Sequence, residues 1–309
     1  MDPLSDWLSL LKPRSYVTGG VALAENMAIQ WPQHEGIKCY AVVSGQCWLT
    51  VSGILEPLLL TPGDCYILPP GPPFCLATSL TASPIDFRVL RDEGILGREV
   101  AKSGDEPCFM VGGHFVLTGN HAALLLGSLP PVVHIQNESD KAAIRWSLDR
   151  ISQEVRFPQP GSSLITQQLA YTMLIQALRL HLAGNPSAGW LFALADKQLS
   201  AALTCIHDEP GFDWTLDKLA SRIGMSRSSF ALRFKEMAGT SPIEYLTRWR
   251  MLLACDRLEN SNDSLTVIAT RLGYESESAF GKAFKRVIGC SPRQHGRRML
   301  PNASTAKAL

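Results

Sequence analysis

Leu219-Ala220-Ser221-Arg222-Ile223-Gly224-Met225-Ser226 returns as Ile268-Ala269-Thr270-Arg271-Leu272-Gly273-Tyr274-Glu275-Ser276, and this repetition decides the reading of the last third of the chain. Phe230-x-x-x-Phe234-Lys235 likewise returns as Phe280-x-x-x-Phe284-Lys285, and Gly239-Thr240-Ser241-Pro242 as Gly289-Cys290-Ser291-Pro292. The spacing is 49 residues at the two glycines and 50 from the phenylalanines onward. Each copy reads as a helix, a tight turn at glycine, a second helix and a Gly-x-Ser-Pro stop. Two such units in one polypeptide can place two helices in successive major grooves of DNA without a second subunit.

In the first copy Thr215 caps a helix ending at Arg222, Gly224 takes the left-handed turn, and Ser226 caps a second helix from Arg227 to Met237. Phe230 and Phe234 face inward. In the second copy Ser264 and Ser276 are the caps, Val267, Ile268 and Leu272 point inward, and Phe280 and Phe284 are buried. Pro242 to Leu258 fits one long connecting helix, with Arg248, Arg250 and Arg257 on its polar side. A helical bundle with a duplicated hairpin and a merely solvated basic face is the competing reading. The joint recurrence of turns, caps, paired phenylalanines and stops argues against it.

Charge follows the same division. The net charge of +1 hides a split: residues 1–195 hold 12 Lys and Arg against 16 Asp and Glu, whereas residues 196–309 hold 17 against 12. The basic excess lies with the repeat, where contact with phosphates needs it. With 46% apolar and 18% charged residues in 309, the chain has the balance of a globular protein of about two domains. No signal peptide or membrane-spanning run is legible, so a cytoplasmic location with reduced thiols is expected.

Upstream, residues 15–135 read as β. Lys38–Val43, Cys47–Val51, Leu58–Leu60 and Cys65–Leu68 are short apolar segments between turn residues, and Phe109–Leu117 and Leu124–Ile135 are further candidates. Such strands predict a small antiparallel barrel or jelly roll. Helices follow from Ser139 and from Ser162 to about Leu182, and both packing on the barrel and a dimer seam fit them, with dimerisation favoured. Ala183 to Gly189 is rich in small turn-forming residues and reads as a linker. The fold class expected is α+β. The parts are a β domain over 1–137, a helical segment over 138–182, a linker over 183–195, the repeat domain over 196–298 and a disordered tail over 299–309.

The run from Leu219 through Gly224-Met225-Ser226-Arg227-Ser228-Ser229-Phe230 to Arg233-Phe234-Lys235 resembles the first unit of the AraC/XylS family of transcription regulators. Tyr245-Leu246-x-x-Trp249-Arg250-Met251 resembles its linking helix, and Gly273-Tyr274 to Phe284-Lys285-Arg286 its second unit. Gln294-His295-Gly296 departs from the Tyr-Arg pair usual there. The resemblance implies base contact by Arg227, Ser228, Ser229 and Leu232 in one copy and by Glu277, Ser278 and Lys282 in the other. Lys282 can donate to guanine O6 and N7, and Glu277 can accept from cytosine N4. Arg233, Lys235, Lys285 and Arg286 are expected on phosphates, which position without specifying.

Gly63-x5-Pro69-x-Gly71 resembles the second cupin motif, and the whole upstream segment resembles the cupin sensor domains found ahead of AraC-type modules. Phe74 stands where metal-binding cupins have histidine, and His34 stands alone where the first motif has a pair. No metal, cofactor or catalytic set is therefore expected, and the chain reads as a non-enzyme. A DNA-tethered cupin enzyme and a β domain serving only as scaffold are the rivals. His34, His114, His121 and His134 read singly as structural. Cys39 and Cys47 flank Ser44-Gly45-Gln46 and could meet across a hairpin; with Cys65 and Cys75 they are candidates for a redox switch, against the commoner role of cysteine as a small inert hydrophobe. The expected partners are double-stranded promoter or operator DNA, a small-molecule effector, a second copy in a homodimer and RNA polymerase, with no membrane.

Overall fold

The computed structural model describes residues 2–10, 15–92, 107–116, 129–184, 193–194 and 196–299. His121, the segment 124–128, most of the linker and the tail from 300 lie outside the described residues. The chain forms two compact units, one of residues 13–186 and one of residues 1–12 with 187–309.

The first unit is β-rich. One sheet has the order β1 (Ser15–Leu23), β9 (Cys108–Val116), β3 (Ile37–Gly45), β6 (Cys65–Leu68), β10 (Val133–Ile135). The other has the order β5 (Leu58–Leu60), β4 (Cys47–Val51), β7 (Phe74–Ala77), β2 (Ala28–Trp31), β8 (Pro84–Asp86), with α2 (Phe87–Asp92) after β8. Pairing is antiparallel except between β2 and β8. Alternate residues of both sheets, including Val42, Tyr66, Leu68 and Met110 from one and Ile29, Leu49, Phe74 and Leu76 from the other, share one core. Of the late strand expected over Leu124–Ile135, residues 129–135 are described and form a strand over Val133–Ile135 alone.

Ser44-Gly45-Gln46 does not close a hairpin. β3 and β4 lie in different sheets, and β4 pairs with β5 and β7 instead. Gly45 at φ +71° turns the chain from one layer to the other beside Pro107. Cys39 and Cys47 are therefore separated between layers.

Helices α3 (Glu138–Arg156) and α4 (Ser162–Gly184) cover the first sheet. Ile144, Leu148 and Ile151 of α3 and Ala170, Met173, Leu174, Ala177 and Leu178 of α4 are buried. The outer side keeps Trp146, Phe157 and Leu164 exposed. Lys141 of α3 reaches down to Asp64 in the turn before β6, with Nζ 2.9 Å from Oδ1 and only 8% and 3% of the two side chains exposed. Asp64 Oδ2 also accepts from the Thr61 backbone N–H at 2.8 Å and lies 3.2 Å from His134 Nε2. Burial alone would raise the Asp64 pKa. The Thr61 amide, the Lys141 ammonium and His134 outweigh it and hold the carboxyl below its ordinary value.

The second unit is helical: α1 (Pro3–Leu10), α5 (Lys197–Asp208), α6 (Leu216–Arg222), α7 (Arg227–Ala238), α8 (Pro242–Asn260), α9 (Leu265–Arg271), α10 (Glu277–Ile288) and α11 (Pro292–Met299). Helix α1 lies within the stretch that the sequence reading gives to the β domain, and its packing is with this helical unit. The reason is Trp7, which is 2% exposed. Its ring centroid lies 5.5 Å from that of Trp249, and its Nε1–H donates to Tyr245 Oη at 2.9 Å. Tyr245 Oη is 2.8 Å from His207 Nε2, while His207 Nδ1 is 3.2 Å from Asp6 Oδ2. Burial pushes the His207 pKa down to about 3. A neutral ring protonated on Nδ1 satisfies the whole chain: Trp7 to Tyr245, Tyr245 to His207, His207 to Asp6.

Candidate nucleic-acid interface

The helix ends form as their chemistry dictates. Thr215, Ser226, Ser264 and Ser276 each accept a backbone N–H three residues on, from Lys218, Ser229, Val267 and Ala279. Gly239 and Gly289 close α7 and α10 in the left-handed conformation. The two short first helices thus hand over to their second helices through turns at Gly224 and Gly273, with φ of +69° and +75°.

Those two glycines differ in surroundings. A side chain on Gly224 would meet nothing within 4 Å, whereas a Cβ on Gly273 would sit 2.4 Å from the Gly211 carbonyl oxygen. The loop after α5 therefore docks onto the second turn. Arg250 of α8 locks that contact: Nε donates to the Pro210 carbonyl at 2.6 Å, Nη2 to the Phe212 carbonyl at 2.8 Å, and the guanidinium lies 5.5 Å from the Tyr274 ring. Arg250 is thus a brace rather than part of a solvated basic edge. Arg248 pairs with Glu244 at 2.6 Å and Arg257 with Asp263 at 3.2 Å. Gly224→Ala is expected to cost about 1–2 kcal/mol, the strain of a left-handed alanine. Gly273→Ala adds a backbone collision to the same strain. Urea unfolding of the helical unit compares them, and equal midpoints would contradict the docking.

The first turns of α7 and α10 are exposed over Arg227, Ser228, Ser229 and Leu232 and over Glu277, Ser278 and Lys282. Leu232 and Lys282 hold equivalent positions 50 residues apart, and Leu232 is 61% exposed. Arg227 lies 3.5 Å from Asp217, and Ser229 is held by the Ser226 hydroxyl at 2.8 Å. Glu277 is engaged on both oxygens, by the Thr266 hydroxyl at 3.2 Å and by Arg293 at 3.5 Å. Arg233 does not project freely, since its guanidinium is bonded to Asp196 and to Gln198 Oε1, fastening α7 to the start of α5. Lys235, Lys285 and Arg286 are exposed. Phe230, Phe234, Phe280 and Phe284 are fully buried, as their spacing requires. Val267, expected inward, is 38% exposed, because Ile268 and Ala269 take the packing face of so short a helix.

The departure at Gln294-His295 has a structural use. Ser291 Oγ accepts from Gln294 N–H at 3.3 Å while Gln294 Oε1 accepts from Ser291 N–H at 3.0 Å, a reciprocal cap on α11. His295 Nε2 lies 3.0 Å from Glu259 Oε1 and seats α11 on α8.

Two family models match the chain, a cupin model over residues 2–183 and a helix-turn-helix domain model over residues 219–298. A putative AraC-like transcription regulator of Streptomyces lividans is 41% identical over 94% of this chain and 97% of its own. The chain belongs to the AraC-like transcription regulators. A second such regulator, from Streptomyces antibioticus, is 40% identical over 97% of this chain and all of its own, and an uncharacterized helix-turn-helix regulator of Haemophilus influenzae is 31% identical over 83% and 84%. As an AraC-type regulator this protein carries a helix-turn-helix DNA-binding domain within residues 219–298. Its cupin domain fits a ligand-sensing role.

In that cupin domain the structure joins residues that the sequence treats singly. Lys38 on β3 and His114 on β9 are directly opposite in register, and the His34 ring lies 6.3 Å from that of His114 and 5.6 Å from that of Phe74. Cys39 Sγ faces Cys65 Sγ at 3.8 Å, and Cys47 Sγ lies 3.9 Å from Met110 Sδ. The neighbouring thiols and burial push the Cys39 and Cys47 pKa values well up, and burial raises that of the half-buried Cys75. These thiols carry little nucleophilic thiolate. Among the described residues no group of three or more His, Cys, Asp and Glu is placed to hold a metal, and no helix is long and apolar enough to cross a membrane.

Proposed function

We propose that α6–α7 and α9–α10 are two DNA-reading units braced by α8, and that α7 and α10 enter successive major grooves on one face of an operator. The observation that carries this reading is the equivalence of the two exposed, Ser-capped helices across one rigid connector. The units read different chemistry. Leu232 offers a methyl contact to thymine, while Lys282 at the matching position donates to guanine. Arg227, Ser228, Ser229, Glu277 and Ser278 complete the base-facing set. Lys235, Lys285 and Arg286 hold phosphates, and Arg233 positions α7 through Asp196.

Lys282→Ala is expected to lose about 1–3 kcal/mol at one base pair of the operator and relax preference there. Lys285→Ala weakens operator and random duplex alike and lowers the salt slope by about 1. Binding measured on both duplexes at several salt concentrations checks the division. Equal losses on the two duplexes for Lys282→Ala would refute it.

In the same reading the two sheets form the barrel of a sensor for a small effector. Two copies pair through the outer side of α3 and α4, where Trp146, Phe157 and Leu164 are exposed. The protein works in the cytoplasm, without catalysis, and regulates transcription by RNA polymerase. An effector shifts the presentation of the reading units only through unequal affinity for two states.

A further inference from the structure

Lys38 is 7% exposed, and its ammonium has no carboxylate or hydrogen-bond partner among the described residues. Its Nζ lies 5.8 Å from the centroid of the Phe74 ring. Taking an ammonium largely out of water costs more than a cation–π contact returns.

Strand geometry says where this cation lies. Tyr40 and Val42 follow Lys38 at alternate positions of β3 and belong to or pack on the core between the sheets; Cys108 and Met110 precede His114 in the same way on β9. Lys38 and His114 therefore project from the interior faces, at one end of the core. His34 completes the group. Both of its ring nitrogens are buried and neither makes a well-formed hydrogen bond, although the Leu68 and Pro69 carbonyls lie near enough to favour its protonated form, and its backbone is pinned to Gly71 by two bonds of 3.2 and 3.1 Å. His114 spends Nε2 on the Glu35 carbonyl, leaving Nδ1. Burial, Lys38 and the neighbouring ring push the His34 pKa down to about 4; burial and Lys38 lower that of His114. Burial brings Lys38 itself down to about 8. Three basic groups thus converge, and no carboxylate of the described residues is bonded to any of them.

We propose that Lys38, His34 and His114 form the seat for the carboxylate of a small organic acid, whose body meets the ring of Phe74. The seat rests on the reading of this domain as an effector sensor and specifies the class of effector. The carboxylate supplies a counter-charge that no described residue gives Lys38, and the neutral His34 ring has one N–H to donate. Phe74, standing where metal-binding relatives of the cupin motif have histidine, gives the ligand an aromatic wall in place of a metal.

The test uses the full chain and thermal unfolding with benzoate, octanoate, benzamide, inorganic phosphate and chloride at matched ionic strength. Benzoate raises the Tm of the β unit by roughly 5–10 °C at about one hundred times its Kd, and benzamide, the neutral isostere, does not. Lys38→Met raises the ligand-free Tm, because a buried unpaired charge is gone, and abolishes the benzoate shift; Lys38→Arg retains it. A shift with phosphate equal to that with benzoate overturns the organic-acid assignment. Equal shifts with benzoate and benzamide, or no shift beyond chloride with benzoate or octanoate, overturn the seat without recourse to any variant. Duplex binding by the same wild-type preparation reports separately on the regulator reading: intact selective binding with no carboxylate shift sinks the seat alone, and absent binding sinks the regulator reading.

Discussion

Lys141→Met lowers the stability of the β unit by about 3–5 kcal/mol, the loss expected when one partner of a buried ion pair is removed. Asp64 keeps the Thr61 amide and His134 but is left charged, with 3% of its side chain exposed. The double variant Asp64→Asn with Lys141→Met recovers much of the loss, since no charge then remains to be solvated. The pH dependence has a definite sign. The Asp64 pKa is lowered in the fold, so its contribution is complete above the ordinary unfolded value of about 3.9 and disappears as pH falls through the folded value. Lys141 is raised, chiefly by its bond to Asp64, so its contribution is complete below the ordinary unfolded value of about 10.4 and disappears as pH rises through the folded one. The contribution of this pair, read at each pH as the difference in stability between the wild type and the double variant, is expected to be level between those limits. An undiminished β-unit melting point in Lys141→Met would show that the pair stabilises nothing.

Trp7→Ala is expected to cost the helical unit about 3–5 kcal/mol, the range for removing a buried aromatic side chain. The substitution empties the space beside Trp249 and leaves Tyr245 without the donor it receives at 2.9 Å. Trp7→Phe separates the two terms, keeping most of the packing while removing one of the hydrogen bonds to Tyr245, worth about 0.5–1.5 kcal/mol. Trp7 is the eighth-from-last residue before the first sheet begins at Ser15, so the same short segment that anchors the helical unit also leads into the β unit. Chemical unfolding followed by helix content reads the effect. A Trp7→Ala protein whose helical unit unfolds at the wild-type midpoint would place α1 outside that unit.

The helical third was legible because its signals are local. A glycine with positive φ, a serine three residues before the amide that it caps, and two phenylalanines one turn apart each act within a few residues. Cys47–Val51, Leu58–Leu60 and Cys65–Leu68 were legible strands for the same reason. What failed to show was pairing over distance. Ser44-Gly45-Gln46 looks like a hairpin turn, and nothing near it says that β4 turns away to the other sheet. Trp7 carries no local sign that its partner is Tyr245, and Lys38 reads as an ordinary strand residue until β9 brings His114 opposite it. The exposed first turns of α7 and α10 were visible as sequence, but the engagement of Arg233 by Asp196 was not, since 37 residues separate them.

The central claim is that two unlike reading helices work together on one duplex. Selection of bound sites from random duplexes by the full-length protein, followed by insertion of 5 base pairs between the recovered motifs, tests it most directly. Two distinct short motifs centred about 10–10.5 base pairs apart are predicted, and a half-turn insertion should drop affinity toward the non-specific level. Recovery of a single motif, or affinity unchanged by the insertion, would contradict the account.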